Sequence, residues 1–248
     1  MVEGRMPELN TWQGAWYLAK EELRRVRWKH LITLVFIGYL LIFLVPMFSD
    51  GRIENSLFGY WALDFITITL LPMLGFMSTQ NSGFYWKMDT YTKKLAAWRT
   101  MPITIKQIVL GRILLFLVNG IIAMIVFFTI YYLFARSLGA DIELLDFILY
   151  ALFWIGFSIA VGIIYLYLET GFSGMKYFWF CTAISLFLLV GMVVYTYFFK
   201  NSLVLLSYRT IAQGGWWMPL IMIVLAIAVF FFGRIIMDKK LRTRSYTS

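Results

Sequence analysis

A chain of 248 residues that is 61% apolar, 19% aromatic and only 14% charged, with mean hydropathy +0.78, has too little polar surface to cover a soluble globule of its size. That excludes an ordinary soluble enzyme and predicts an integral membrane protein. The net charge of +9 does not point to nucleic acid, because the basic residues are sorted by segment along the chain.

Crossing about 30 Å of hydrocarbon takes about 20 predominantly apolar residues in helical form. The uncharged runs lack the two-residue alternation of a membrane barrel, so the expected class is all-α, with every backbone group satisfied inside its own helix. Six spans are expected, over residues 31–49, 60–82, 109–135, 146–168, 176–199 and 215–236, forming one membrane domain over residues 1–248. About 30 residues with four acidic groups precede the first run, and no small-residue cleavage site follows it, so it reads as a retained span and not a signal peptide.

Ahead of the first span, residues 11–29 place Trp12, Trp16, Ala19, Leu23 and Val26 at spacings of four and three, with Lys20, Glu21, Arg24, Arg25 and Arg27 between them. This predicts an amphipathic helix lying along the membrane surface, with Asn10 and Thr11 as caps and His30 solvated at the junction. Lys and Arg number six in the first 30 residues, six in residues 80–112, one in 169–176 and five in 234–248. The other loops hold Arg52, Arg136, Lys200 and Arg209 beside five acids. By the positive-inside rule both termini and the central loop are expected in the cytoplasm, against anionic lipid.

Within the spans, Asp64 is expected near the outer end of span two, where its carboxylate reaches headgroups or water. Pro72 predicts a kink. Asn119, the most polar interior side chain of span three, is expected to bond to a neighbouring helix. In span four, Gly156 with Ala160, and Ser158 with Gly162, form small-residue pairs that permit close helix approach within the chain or across a dimer interface. Glu169–Lys176 reads as a tight turn with Gly171 and Gly174 as its flexible points. Cys181 reads as a small buried apolar residue. The segment after Lys200 is half apolar and predicts a short helix before Gly214 and Gly215, and Trp216 and Trp217 mark the interface. Residues 237–248 read as a basic tail, disordered at its last residues. Thr67, Thr69 and Thr196 are among the side chains that could line a path, although Ser and Thr also bond to their own helix backbone.

The central stretch, residues 84–108, has Phe84, Met88, Tyr91, Leu95 and Trp98 on one helical stripe. Pro102 disfavours helix at Met101, so this helix should end near Arg99. Thr104 and Gln107 then form a T-x-x-Q capping box that starts a new helix running into span three. A helix, a corner and a capped helix form a rigid protrusion.

The run from Trp98 through Arg99, Met101, Pro102, Thr104, Lys106 and Gln107 to Arg112 resembles the segment between the second and third spans of type-2 ATP-binding-cassette transporter permeases, with Met101 where Leu is usual. The six-span, N-in and C-in layout and the N-terminal amphipathic helix resemble the same family over nearly the whole chain. The resemblance implies a transmembrane permease subunit of an ATP-driven exporter in the bacterial plasma membrane. It would move a hydrophobic or amphipathic substrate (a drug, lipid or antimicrobial peptide) by alternating access. The corner formed by Trp98, Arg99, Met101, Pro102, Thr104, Lys106 and Gln107 would then be the coupling element for an ATPase subunit. The partners implied are that ATPase, a second copy or sister permease, and membrane lipids.

The residues themselves give no sign of catalysis by this chain. A single His rules out an HExxH zinc site, and no Gly is followed by Lys, so ATP and Mg would be bound by a separate subunit. Two other classes remain as alternatives. One is an intramembrane lipid-modifying enzyme using Asp64, Asp89 or Glu169, which the expected topology puts on different sides of the membrane. The other is a non-catalytic sensor or assembly protein.

Overall fold

The computed structural model describes residues 10–25, 30–45, 57–77, 90–99 and 103–244, and among these it contains helices and no strand. The elements are α1 (Thr11–Arg25), α2 (His30–Leu44), α3 (Leu57–Leu70), a 3-10 turn (Leu71–Met73), α4 (Leu74–Met77), α5 (Thr90–Arg99), α6 (Ile105–Ser137), α7 (Leu144–Gly171), α8 (Gly174–Phe199), α9 (Leu203–Ala212) and α10 (Trp217–Thr243). Among the described residues, five spans are long and apolar enough to cross a membrane: Gly59–Phe76, α6, α7, α8 and α10. The shorter α2 makes a sixth if it is taken together with α1, whose axis it meets at 79°.

Span two shows how the sequence sets local structure. Pro72 has no N–H to donate, and the ladder there tightens into the 3-10 turn between α3 and α4, a local change in hydrogen bonding at the proline. Thr67 and Thr69 donate back to the carbonyls of Leu63 and Phe65, as membrane Thr residues commonly do. At 33 residues α6 is about 50 Å long, against about 30 Å of hydrocarbon, so it must project well beyond the membrane.

Helix association in lipid depends on close packing rather than on hydrophobic burial. α10 lies along α7 and α1 lies on α6, while α3 packs against α8. The interior divides into two buried clusters. One gathers Leu40, Leu63, Leu74, Phe127, Tyr131, Tyr150, Trp154 and Val204 near α9. The other gathers Phe76, Leu95, Trp98, Ile113, Phe116, Leu166 and Met237 near α5. Outside them α8 and α10 expose large apolar side chains such as Phe187, Phe198, Val224 and Phe232, as surfaces facing lipid would.

Several boundaries differ from the sequence reading. The turn expected over Glu169–Lys176 is shorter, because α7 continues through Gly171 and α8 starts at Gly174. Glu169 is therefore a helical residue. The basic tail is also helical as far as Thr243, since Met237 and Leu241 are buried and Asp238 pairs with Arg242 one turn on. The short helix expected after Lys200 is α9. His30 is exposed at the start of α2, and Cys181 is half-buried rather than buried. The features expected at Val26 and Arg27, Pro46 to Asn55, Ser78 to Asp89, Met101 and Pro102 lie outside the described residues.

The α7–α10 contact is close enough to test. A Cβ at Gly156 would lie 3.1 Å from the Met222 backbone. Gly156→Val should therefore cost about 1 to 3 kcal/mol by overpacking, seen as a lower thermal unfolding midpoint in detergent micelles.

Candidate functional site

The candidate site is the corner between α5 and α6 together with the charged junction around it. Thr104 leaves the helical region, with φ −77° and ψ 150°, and caps α6. Its Oγ1 accepts from the Gln107 backbone N–H at 3.3 Å, and the Thr104 N–H donates to Gln107 Oε1 at 2.9 Å, so both halves of the expected box are present. Gln107 has a second role. Its side chain forms part of the surface on which α1 rests: a Cβ at Gly14 would fall 2.5 Å from Gln107 Nε2, and one at Gly111 would meet the Ala15 carbonyl oxygen at 3.0 Å.

This contact shows which face of α1 meets the protein. The side buried in the molecule is made by Gly14, Ala15 and Ala19, which let two backbones approach closely. Trp12 and Trp16 are 50% and 49% exposed and point away from α6. Among the described members of the expected apolar stripe, Ala19 alone is fully buried, because small residues decide where the helices meet.

On α5, Leu95 and Trp98 are buried in the cluster that includes Ile108, Val109 and Ile113 of α6. Lys94, one turn before Trp98, places its Nζ 2.6 Å from Glu22 Oε2 of α1 and 4.9 Å from the centre of the Trp98 ring. Burial draws the Lys94 ammonium below the ordinary lysine range, and the bond to Glu22 opposes that shift. Lys106 and Thr104 are exposed at the corner. The Arg99 side chain, Met101 and Pro102 fall outside the described residues.

Beneath the corner lies an ion pair that the sequence reading did not find. Arg112 Nη2 of α6 is 3.0 Å from Glu169 Oε2 of α7, and the two side chains are only 5% and 2% exposed. Both charges also act on Lys94, Arg112 weakening its charged form and Glu169 supporting it. At the end of α7, Arg244 Nη1 donates to the Thr170 carbonyl at 2.5 Å, and Lys240 lies 4.7 Å from the centre of the Phe172 ring. Glu22, Lys94, Arg112, Glu169 and Arg244 thus join α1, α5, α6, α7 and the C-terminal end of α10. Spacing within one helix gives no signal for such long-range pairs. The only hint was that Arg112 and Glu169 adjoin long apolar runs.

The remaining predicted residues lie in the interior, away from this junction. Gly156 faces α10, Gly162 meets the Phe116 ring, and Ser158 and Ala160 are buried, so all four pack within the chain. Asn119 is 6% exposed, yet its Nδ2 has no hydrogen-bond partner among the described residues. The expected inter-helix bond from that amide nitrogen is therefore absent among the described residues. Asp64 is fully buried against α9 and does not reach the protein surface, and the first turn of α9 supplies its donors. Among the described residues no group of three or more His, Cys, Asp or Glu is placed to hold a metal ion.

The architecture defines the class of protein: a helical chain with several apolar helices long enough to cross a membrane. Comparison with protein-family models, curated proteins and solved structures returned no match.

Removing one member of a buried ion pair leaves an uncompensated charge, at a cost of about 3 to 5 kcal/mol. Glu169→Gln should lower thermal stability in micelles by about that amount. Arg112→Met combined with Glu169→Leu should recover most of it, because the pair itself adds little beyond mutual compensation.

Proposed function

We propose that this chain is the membrane subunit of an ATP-driven exporter of the type-2 ATP-binding-cassette class, and that the α5–α6 corner is where a separate ATPase subunit docks. The observation that supports this most is the construction of the corner. α5 stops at Arg99, α6 starts again on a complete capping box, α5 is held to α1 by Lys94 and Glu22, and α6 packs on α1 through Gln107 and Gly111. A plain connector has no use for that rigidity. The exposed Lys106 and Thr104 lie on its outer side, and Arg99, Met101 and Pro102 complete the motif in sequence.

In this reading both termini and the corner are cytoplasmic, the membrane is the bacterial plasma membrane, and two such chains, or one with a sister permease, form the pathway. ATP and Mg are held by the ATPase, and this chain performs no chemistry. Closure of the ATPases pushes on α5. The cluster around Leu95, Trp98 and Ile113 passes the displacement to α6, and Arg112–Glu169 passes it to α7. ATP shifts the conformation only as far as its differential affinity for the two states allows. The apolar, aromatic-rich spans suit a hydrophobic or amphipathic substrate.

No observation favours an intramembrane enzyme. Asp64 binds α9, whose Tyr208 packs on Tyr150 of α7, and Tyr150 and Glu169 are about 28 Å apart along that helix. The two carboxyl groups belong to opposite ends of the bundle, and each already has structural partners.

Affinity purification of the tagged chain should bring down an ATPase whose hydrolysis is stimulated by the complex. Lys94→Glu should reduce that stimulation about fivefold or more, and adding Glu22→Lys should restore it. Purification without an ATPase, or stimulation indifferent to Lys94→Glu, would reject the reading.

A further inference from the structure

At the end of the molecule away from the corner, Asp64 sits on α3 with no exposed surface. A buried carboxylate requires compensation. All of its hydrogen-bond partners among the described residues lie at the start of α9: Ser202 Oγ donates at 2.5 Å, the Leu203 N–H at 2.8 Å and the Val204 N–H at 3.0 Å. Ser202 Oγ also accepts from the Leu205 N–H at 3.3 Å, capping the helix. The positive end of α9 and the carboxylate therefore satisfy each other across 138 residues of sequence.

α9 is bounded on both sides by left-handed backbone. Lys200, which ends α8, has φ 48°, and Gly214, just beyond Ala212, has φ 94°. Between these points α9 covers the aromatic cluster, with Tyr208 edge-on to Tyr150 at 5.7 Å and Val204 and Ile211 buried. Its far half borders an open cavity of about 740 Å³, lined among others by Tyr132, Arg136, Asp146, Tyr208 and Ala212. The helix is thus packed on one side, open on the other, and pinned at its first turn.

From this geometry we propose that α9 is a hinged lid over the buried cluster around Tyr150, latched by Asp64. Lifting the lid removes three donors from a carboxylate that no described basic side chain pairs with, so opening must bring water to Asp64. Hydration of the cluster and release of the helix are then one event. The proposal is independent of whether an ATPase docks at the other end.

Thiol labelling tests it on the full chain in detergent micelles, in a Cys181→Ser background. A Tyr150→Cys reporter beneath the lid should react slowly with a polar maleimide. Adding Asp64→Asn should raise the rate about tenfold or more, as expected when a charge-assisted hydrogen bond is lost. A Leu241→Cys reporter, buried at the α5 end, should be unaffected. If Asp64→Asn fails to fold, Ser202→Ala provides a milder release of the same latch and should act in the same direction. An unchanged rate at the Tyr150→Cys position, or an equal rise at both reporters, would overturn the lid and leave Asp64 as a general structural residue.

Discussion

The ion pair between Arg112 and Glu169 sets the organisation of the α5 end of the molecule. Neither charge can stay in an apolar interior alone, so α6 and α7 must meet at the register that joins them. Once that register is set, the start of α6 stands clear beyond the pair, where it takes its cap from Thr104 and offers Gln107 and Gly111 as the surface for α1. α5 then closes over the same place through Trp98 and Lys94. The pair acts mainly as a positional constraint. An apolar replacement of similar volume would fill the space equally well, but it would not distinguish this register from one a turn away.

The helices were legible in the sequence because membrane crossing imposes a coarse rule, length of apolar run, that a single chain states openly. The same holds for the corner. T-x-x-Q after a proline is a local signal, and the box at Thr104 and Gln107 depends on contacts only three residues apart. The misread features all depend on partners far along the chain. Asp64 looks like a carboxylate near a membrane surface until Ser202 is placed beside it. Glu169 looks like a turn residue until Arg112 is. The apolar stripe of α1 is legible, but that Gly14 and Ala15 meet the protein is not, because it depends on Gln107 and Gly111 far along the chain. The extension of α10 into the expected tail follows from the burial of Met237 and Leu241.

Both ends of the bundle meet the same constraint in different ways. At the α5 end a basic side chain compensates Glu169, giving a charge pair whose members sit on two long helices. At the α9 end Asp64 is compensated by hydrogen bonds from one short helix, and that helix has left-handed residues on either side. A pair between two spans cannot separate without moving the spans, whereas a cap on a ten-residue helix can be undone by moving that helix alone. The physical difference sorts the two ends into a stiff one and a releasable one.

That asymmetry bears on how motion could travel through the chain. The two buried clusters adjoin where the Pro72 turn interrupts span two and where Gly120 approaches Gly75, whose Cα would lie 3.4 Å from a Cβ at Gly120. The hydrogen-bond ladder of span two tightens there into a 3-10 turn, whereas α6 and α7 run unbroken past that level. Asp64 stands on the far segment of span two, α3, so a bend at Pro72 changes the position of the carboxylate relative to α9 directly. The buried pair, the Pro72 turn and the Asp64 hydrogen bonds thus lie in spatial succession between the two ends.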